Sequence, residues 1–149
     1  GKIMVTSVAI REFLHSLVDT AATGSQKVYT VPAGEVWEVL SVNVNLLASA
    51  TAGNRRVVCI ARPPTAFEVA RGSSPVTQAA SEYRTYNFGT GFTDQAAFIA
   101  NYINMSMPRI ILAENWQIET WDVAQIDPTG DTMDVRIAYL KRFVGEVNL

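Results

Sequence analysis

The chain has 149 residues, 48% of them hydrophobic and 17% charged, with a formal net charge of −2. That length suits one domain that buries a sizeable core without disulfides or metals as staples, and the slightly acidic balance argues against binding by phosphate neutralisation, which needs a basic face. Charge content falls below the about 25% of an ordinary soluble domain, so part of the surface is expected to be covered by another subunit.

The first segment, residues 1–27, carries two readings. Ile10, Phe13, Leu14, Leu17 and Val18 recur at helical spacing, whereas Ile3 to Ile10 is rich in β-branched residues. An extended arm followed by a short helix or a second strand is therefore expected. An extended arm adds a strand to a neighbour's sheet edge, which makes Lys2, Ile3, Met4 and Val5 candidate partner-binding residues. The alternative is an ordinary core or edge strand. No stretch reaches the roughly 20 apolar residues of a membrane span, and no charged-then-apolar secretory signal opens the chain. A soluble protein made in the cytoplasm is expected, with no membrane or nucleic-acid partner.

Residues 28–149 read as strands. Val31-Pro32-Ala33-Gly34 is a turn signal, because proline presets its backbone angle and glycine accepts positive φ. Beyond it Leu40, Val42, Val44 and Leu46 alternate with Ser41, Asn43 and Asn45, the period of a strand with one buried face, and Trp37 and Val39 fall on the other face. The small residues 48–54 then lead into a β-rich segment from Arg55 to Arg62, which predicts a long hairpin with a flexible tip. From Pro63 to Ala80 prolines, glycine and serines predict a surface loop or irregular edge. Further strands are expected at Tyr83 to Phe88, Ile103 to Met107, Ile110 to Leu112, Trp116 to Trp121 and Met133 to Tyr139. Short strands punctuated by turns, without crossover helices, predict an all-β antiparallel sandwich.

Chemistry-bearing residues are sparse. His15, the single histidine, lacks a neighbouring cysteine or carboxylate motif and reads as a solvated side chain. Cys59, the single cysteine, lies in an apolar run and reads as a core thiol. Asp122, Asp127, Asp131 and Asp134 crowd one loop and its following strand; their spacing fits no EF-hand and suits a turn that accepts local hydrogen bonds, with calcium as the alternative. Gly89-Thr90-Gly91 lacks the lysine and helix of a phosphate cradle. Arg55 and Arg56, like Lys141 and Arg142, form a short basic pair that either faces an acidic partner or keeps a sheet surface soluble. Trp37, Trp116 and Trp121 are candidates for core anchors or for sugar stacking. No catalytic residue, metal ligand or cofactor-binding residue is assigned, and an enzyme, such as a carboxylate-dependent glycosidase, ranks third behind two binding roles.

The segments "YTVPAGEVWEVLSVNVNL", "TAGNRRVVCIA" and "PRIILAENWQIETWDVAQIDPTGDTMDVRI" together resemble small β-sandwich structural proteins of tailed bacteriophages, including capsid decoration, or cement, proteins. The resemblance spans roughly Val28 to Ile137 and leaves Pro63 to Ala100 and the amino-terminal segment unmatched. It implies a jelly-roll-like subunit on the outside of an assembled head, in the virion, commonly a homotrimer, that clamps neighbouring major capsid proteins and favours the expanded shell. Arg55 and Arg56 join the arm residues as candidate contacts. The runner-up is a tail, baseplate or head-fibre sandwich that binds host glycan through exposed tryptophans.

Overall fold

The computed structural model describes residues 4–7, 12–65, 67–92, 101–143 and 145–148. Among them the secondary structure is all strand: β1 (Met4–Ser7), β2 (Glu12–Thr23), β3 (Gln26–Thr30), β4 (Glu35–Leu47), β5 (Val57–Arg62) and β6 (Ala70–Ser73) are followed by β7 (Tyr83–Gly89), β8 (Tyr102–Ser106), β9 (Ile111–Leu112), β10 (Gln117–Asp122), β11 (Thr132–Phe143) and β12 (Gly145–Asn148). The larger sheet runs β2-β11-β4-β7-β8, with β9 added against β4; the smaller runs β3-β10-β5-β6. β1 and β12 make a separate two-stranded ribbon. The fold is a jelly-roll-like β-sandwich, antiparallel except that β7 and β8 pair in parallel.

The core lies between the two sheets. Val42, Val44 and Leu46 of β4, Tyr86 and Phe88 of β7, and Met133, Val135 and Ile137 of β11 meet Val57, Cys59 and Ala61 of β5 and Ile118 of β10. Alternation along β11 delivers one side chain in two to this layer. Thr120, also fully buried, donates to Met133 Sδ at 3.4 Å, so its hydroxyl is accommodated inside the apolar layer. Gly72 sits where the sheets approach closely: a Cβ there would lie 2.8 Å from the Phe88 ring. The turn before β4 forms as expected, with the Glu35 amide donating to the Pro32 carbonyl at 3.2 Å and Gly34 at φ 76°.

Strand pairing settles several sequence expectations. The segment at Ile10 to Val18, read as either a short helix or a second strand, is the strand over its described part. Residues from Glu12 onward belong to β2, which pairs with β11 from Arg142↔Glu12 to Thr132↔Thr23. The long ladder supplied by β11 outweighs a helical periodicity read on a short window. β2 belongs to the larger sheet, and residue 28 lies within β3. The predicted hairpin of β4 with β5 is absent, because those strands lie in opposite sheets. β5 is buried along Val57 to Ala61 on both faces, an environment that pairing beside the half-polar β4 at a sheet surface would not supply. Within the stretch from Pro63 to Ala80, read as a surface loop or irregular edge, Ala70–Ser73 form β6 at the edge of the smaller sheet, and Ser74 and Gln78 are buried. Gln78 donates to the carbonyls of Leu46 and Glu82 and accepts the Tyr86 hydroxyl at 2.7 Å, which ties this stretch to the larger sheet.

Within β4 the alternation changes phase. Ala138 faces Ser41 while Tyr139 faces Val39, so Leu40 is an extra residue opposite β11, a β-bulge. Leu40 is consequently 42% exposed and Trp37, expected on the opposite face from Val42, is buried beside it in the core at 3%.

Candidate interaction surfaces

The polar residues that looked most suited to chemistry are engaged within the fold. Arg55 and Asp131, both with fully buried side chains, form a bidentate pair through Arg55 Nε and Nη2 at 3.1 Å each. Arg55 Nη1 also donates to the Gly53 carbonyl at 2.8 Å, and Asp131 accepts the Ser49 amide at 2.8 Å. Asp122 accepts the backbone amides of Arg56, Ala124 and Ile126 at 2.9, 3.0 and 3.2 Å. Asp127 accepts the Ser49 and Thr51 hydroxyls at 2.6 and 3.1 Å and the Gly130 amide at 3.0 Å. Asp134 pairs with Arg136 at 3.3 Å. Asp122, Asp127 and Asp131 stitch the β4–β5 connection to the β10–β11 loop. No group of three or more His, Cys, Asp or Glu side chains suited to hold a metal occurs among the described residues.

Asp127 gives this stitching a pH dependence. The Ser49 hydroxyl first, then that of Thr51, holds its carboxyl below the ordinary value of 3.8, so the charged form is the one the fold prefers. A depressed folded pKa contributes stability that is present above the unfolded value and lost as pH falls through the folded one. In urea unfolding, the difference between the native chain and Asp127→Ala is therefore expected to be constant at neutral pH and to shrink in acid below about 3.8. A difference that stays constant through that range would contradict the assignment.

Of the candidate partner-binding residues, Arg55 is wholly buried, and its guanidinium is paired with Asp131 inside the fold. Arg56 is half-buried and donates to the Ser74 carbonyl. Met4 and Val5 lie in β1, paired with Asn148 and Val147 of β12, while Lys2 and Ile3 lie outside the described residues. His15 is half-buried and stacks on Tyr139 with ring centroids 5.5 Å apart, and Tyr139 stacks in turn on Trp37 at 4.0 Å. Cys59 is wholly buried, and desolvation pushes its thiol well above the usual range. With Trp37 in the core and Trp116 and Trp121 half-buried, the latter under Arg71, the tryptophans do not form an exposed sugar platform.

Concave features lined by described residues include a slit and a depression. An apolar slit between the sheets is lined by Leu40, Phe88, Met107 and Ile110 among others. An open depression at Gly34, Glu35 and Glu114 holds two carboxylates, but Lys141 pairs with Glu35 at 2.7 Å and the Gly34 amide donates to Glu114 at 2.9 Å. Glu38, buried, is bracketed by Arg109 and Arg142.

The surfaces that stand out were not singled out in the sequence. Phe67, at 94% exposed, projects from the β5–β6 connection beside the exposed Val69; an aromatic residue shortly after Pro63-Pro64, in a stretch read as loop or edge, was its only signal. On the outward face of the larger sheet, Asn43, Asn87 and Asn104 stand in register across β4, β7 and β8, flanked by the exposed Tyr83 and Tyr102. The period-two polar positions around Asn43 and Asn104 announced a solvated face, but their alignment depends on strand pairing.

No family model matches the chain, and no curated protein does. Among solved structures, an exo-β-1,3-galactanase from Phanerochaete chrysosporium aligns with 92% of this chain and 29% of its own length, at 12% identity and a TM-score of 0.31. A chain from the structure of infectious bursal disease virus, Gx strain, aligns with 97% of this chain and 43% of its own, at 6% identity and a TM-score of 0.27. The chain thus spans less than half the length of either.

Proposed function

We propose that this chain is a non-enzymatic virion structural protein of the bacteriophage decoration type, which binds major capsid protein on the outer head surface as a homotrimer and stabilises the expanded shell. The observation that carries this reading is the β1–β12 ribbon. Among the described residues its strands pair with each other, through Met4↔Asn148 to Ser7↔Gly145, and with no strand of either sheet. A two-stranded ribbon is at best marginally stable alone in water, so a surface outside this chain is the natural support for it, and its open edges suit strand addition. The exposed Phe67 and Val69 supply a second apolar contact of the kind that anchors interfaces.

A subunit that binds only the expanded shell stabilises that state by mass action, up to saturation. Virions with and without the protein, heated in parallel while DNA release is followed, test this. Release at a lower temperature from the particles lacking it is expected. Equal release temperatures at full initial occupancy would overturn the stabilising role.

A further inference from the structure

We propose that the outward face of the larger sheet binds a neutral glycan chain, with Asn43, Asn87 and Asn104 as its hydrogen-bonding row and Tyr83 and Tyr102 as its stacking rings. The row is built by register: Asn43 faces Asn87 across β4 and β7, and Asn87 faces Asn104 across β7 and β8. Its hydrogen bonds all run one way. Asn45 Nδ2 donates to Asn43 Oδ1 at 3.2 Å, Asn43 Nδ2 to Asn87 Oδ1 at 2.7 Å, and Asn87 Nδ2 to Asn104 Oδ1 at 3.1 Å. Upstream, Asn45 Oδ1 accepts the hydroxyls of Thr85 at 2.6 Å and Tyr83 at 3.2 Å.

Three properties follow from this chain of donors. Each amide is fixed in one orientation, so a ligand that uses it costs little further side-chain ordering. Asn43 Nδ2 and Asn87 Nδ2 each spend one of two N–H groups on a neighbour, which leaves the second for a ligand, and Asn104 Nδ2, at the end of the relay, donates to no other described residue. A head-to-tail chain polarises its members, which strengthens that terminal donor. The row amides are half-buried, held by the fold yet reachable from solvent.

The chemistry of the face selects its ligand. The row is uncharged across three strands; Arg136, the next residue in register, is neutralised by Asp134 at 3.3 Å. A phosphate, a carboxylate or a basic peptide finds no counter-charge there, and the centre of a protein interface is expected to be more apolar or arginine-rich. Sugar hydroxyls, each both donor and acceptor, match amide N–H and C=O groups. Adjacent strands lie about 4.8 Å apart, close to the repeat of one sugar unit in an extended chain. Tyr83 and Tyr102 are 51% and 53% exposed. The hydroxyl of Tyr83 is anchored on Asn45, which limits the motion of its ring, and Tyr102 stands in register with Thr85 at the other margin. This site is independent of how the chain docks on a capsid.

The test follows the asparagine side-chain amide resonances of the isotopically labelled chain during titration with neutral oligosaccharides: gluco-, galacto-, manno-, xylo- and N-acetylglucosamine oligomers. Saturable shifts at Asn87 and Asn104 with at least one probe are expected. Tyr102→Ala, at an exposed position, should weaken that probe about tenfold, while Tyr102→Phe keeps the ring and the affinity. No saturable shift at those amides with any of the probes, shifts confined to another surface, or an affinity unchanged by Tyr102→Ala would each overturn the proposal, as would a row that responds only to added capsid protein.

Discussion

Arg55→Ala is expected to destabilise the fold by about 3–5 kcal/mol, the scale for removing one partner of a buried ion pair. The side chains of Arg55 and Asp131 are both 0% exposed, and the guanidinium makes two of its bonds to the carboxylate. Without it, Asp131 keeps the Ser49 amide as a donor, which is too little to compensate a charge removed from water. The Gly53 carbonyl loses its donor at the same time, and the β4–β5 connection loses one of its ties to the residues before β11. The expected result is a large fall in the urea midpoint with the slope retained. Replacing both members by apolar residues of similar volume, Arg55→Met with Asp131→Leu, should recover much of the loss, because the cost lies in the orphaned charge more than in the missing attraction. A loss below about 1 kcal/mol for Arg55→Ala, the range of a surface pair, would mean that water reaches the site.

Arg55 also marks where the sequence stopped being legible. A basic pair following a small-residue tip resembles a solvated strand entry, and its counter-charge lies 76 residues away, beyond any local pattern. The all-β sandwich was readable because β11 alternates strictly, with Met133, Val135, Ile137 and Tyr139 all buried. Half of β4 was readable for the same reason. The bulge at Leu40 was not, since a bulge is defined by the partner's register and leaves no mark in composition. The same limit explains the false hairpin. Strand content at Val57 to Arg62 was evident, but which sheet receives it depends on burial of both faces, and the uninterrupted apolar run "VVCIA" was the available clue. The amide row shows the limit at a candidate site: Asn43 and Asn104 were visible as polar positions in alternating strands, whereas their alignment through Asn87 requires a parallel pairing of β7 with β8 that nothing local predicts.

On the proposed capsid-binding role, deleting either strand of the terminal ribbon is expected to remove the chain from capsids while leaving the sandwich folded. Among the described residues β1 and β12 pair with each other and with no other strand, so losing them takes none of the described ladder bonds from either sheet, and the thermal midpoint of the isolated chain should stay near its original value. Binding is a different matter. If the ribbon docks on a capsid protein by strand addition, its backbone groups supply the affinity directly, and a single remaining strand loses the pairing that presents them. Removal of residues 4–7, removal of residues 145–148 and removal of both should therefore weaken capsid binding to the same degree, at least about a hundredfold, or about 2.7 kcal/mol. Equality of the three is the informative feature: two strands that contact the capsid independently would give losses that add. Occupancy measured by quantitative gel analysis of purified particles, across a titration of each variant onto undecorated heads, separates the outcomes. Full occupancy by the doubly truncated chain would remove the ribbon from the interface and shift the contact to the exposed Phe67 and Val69.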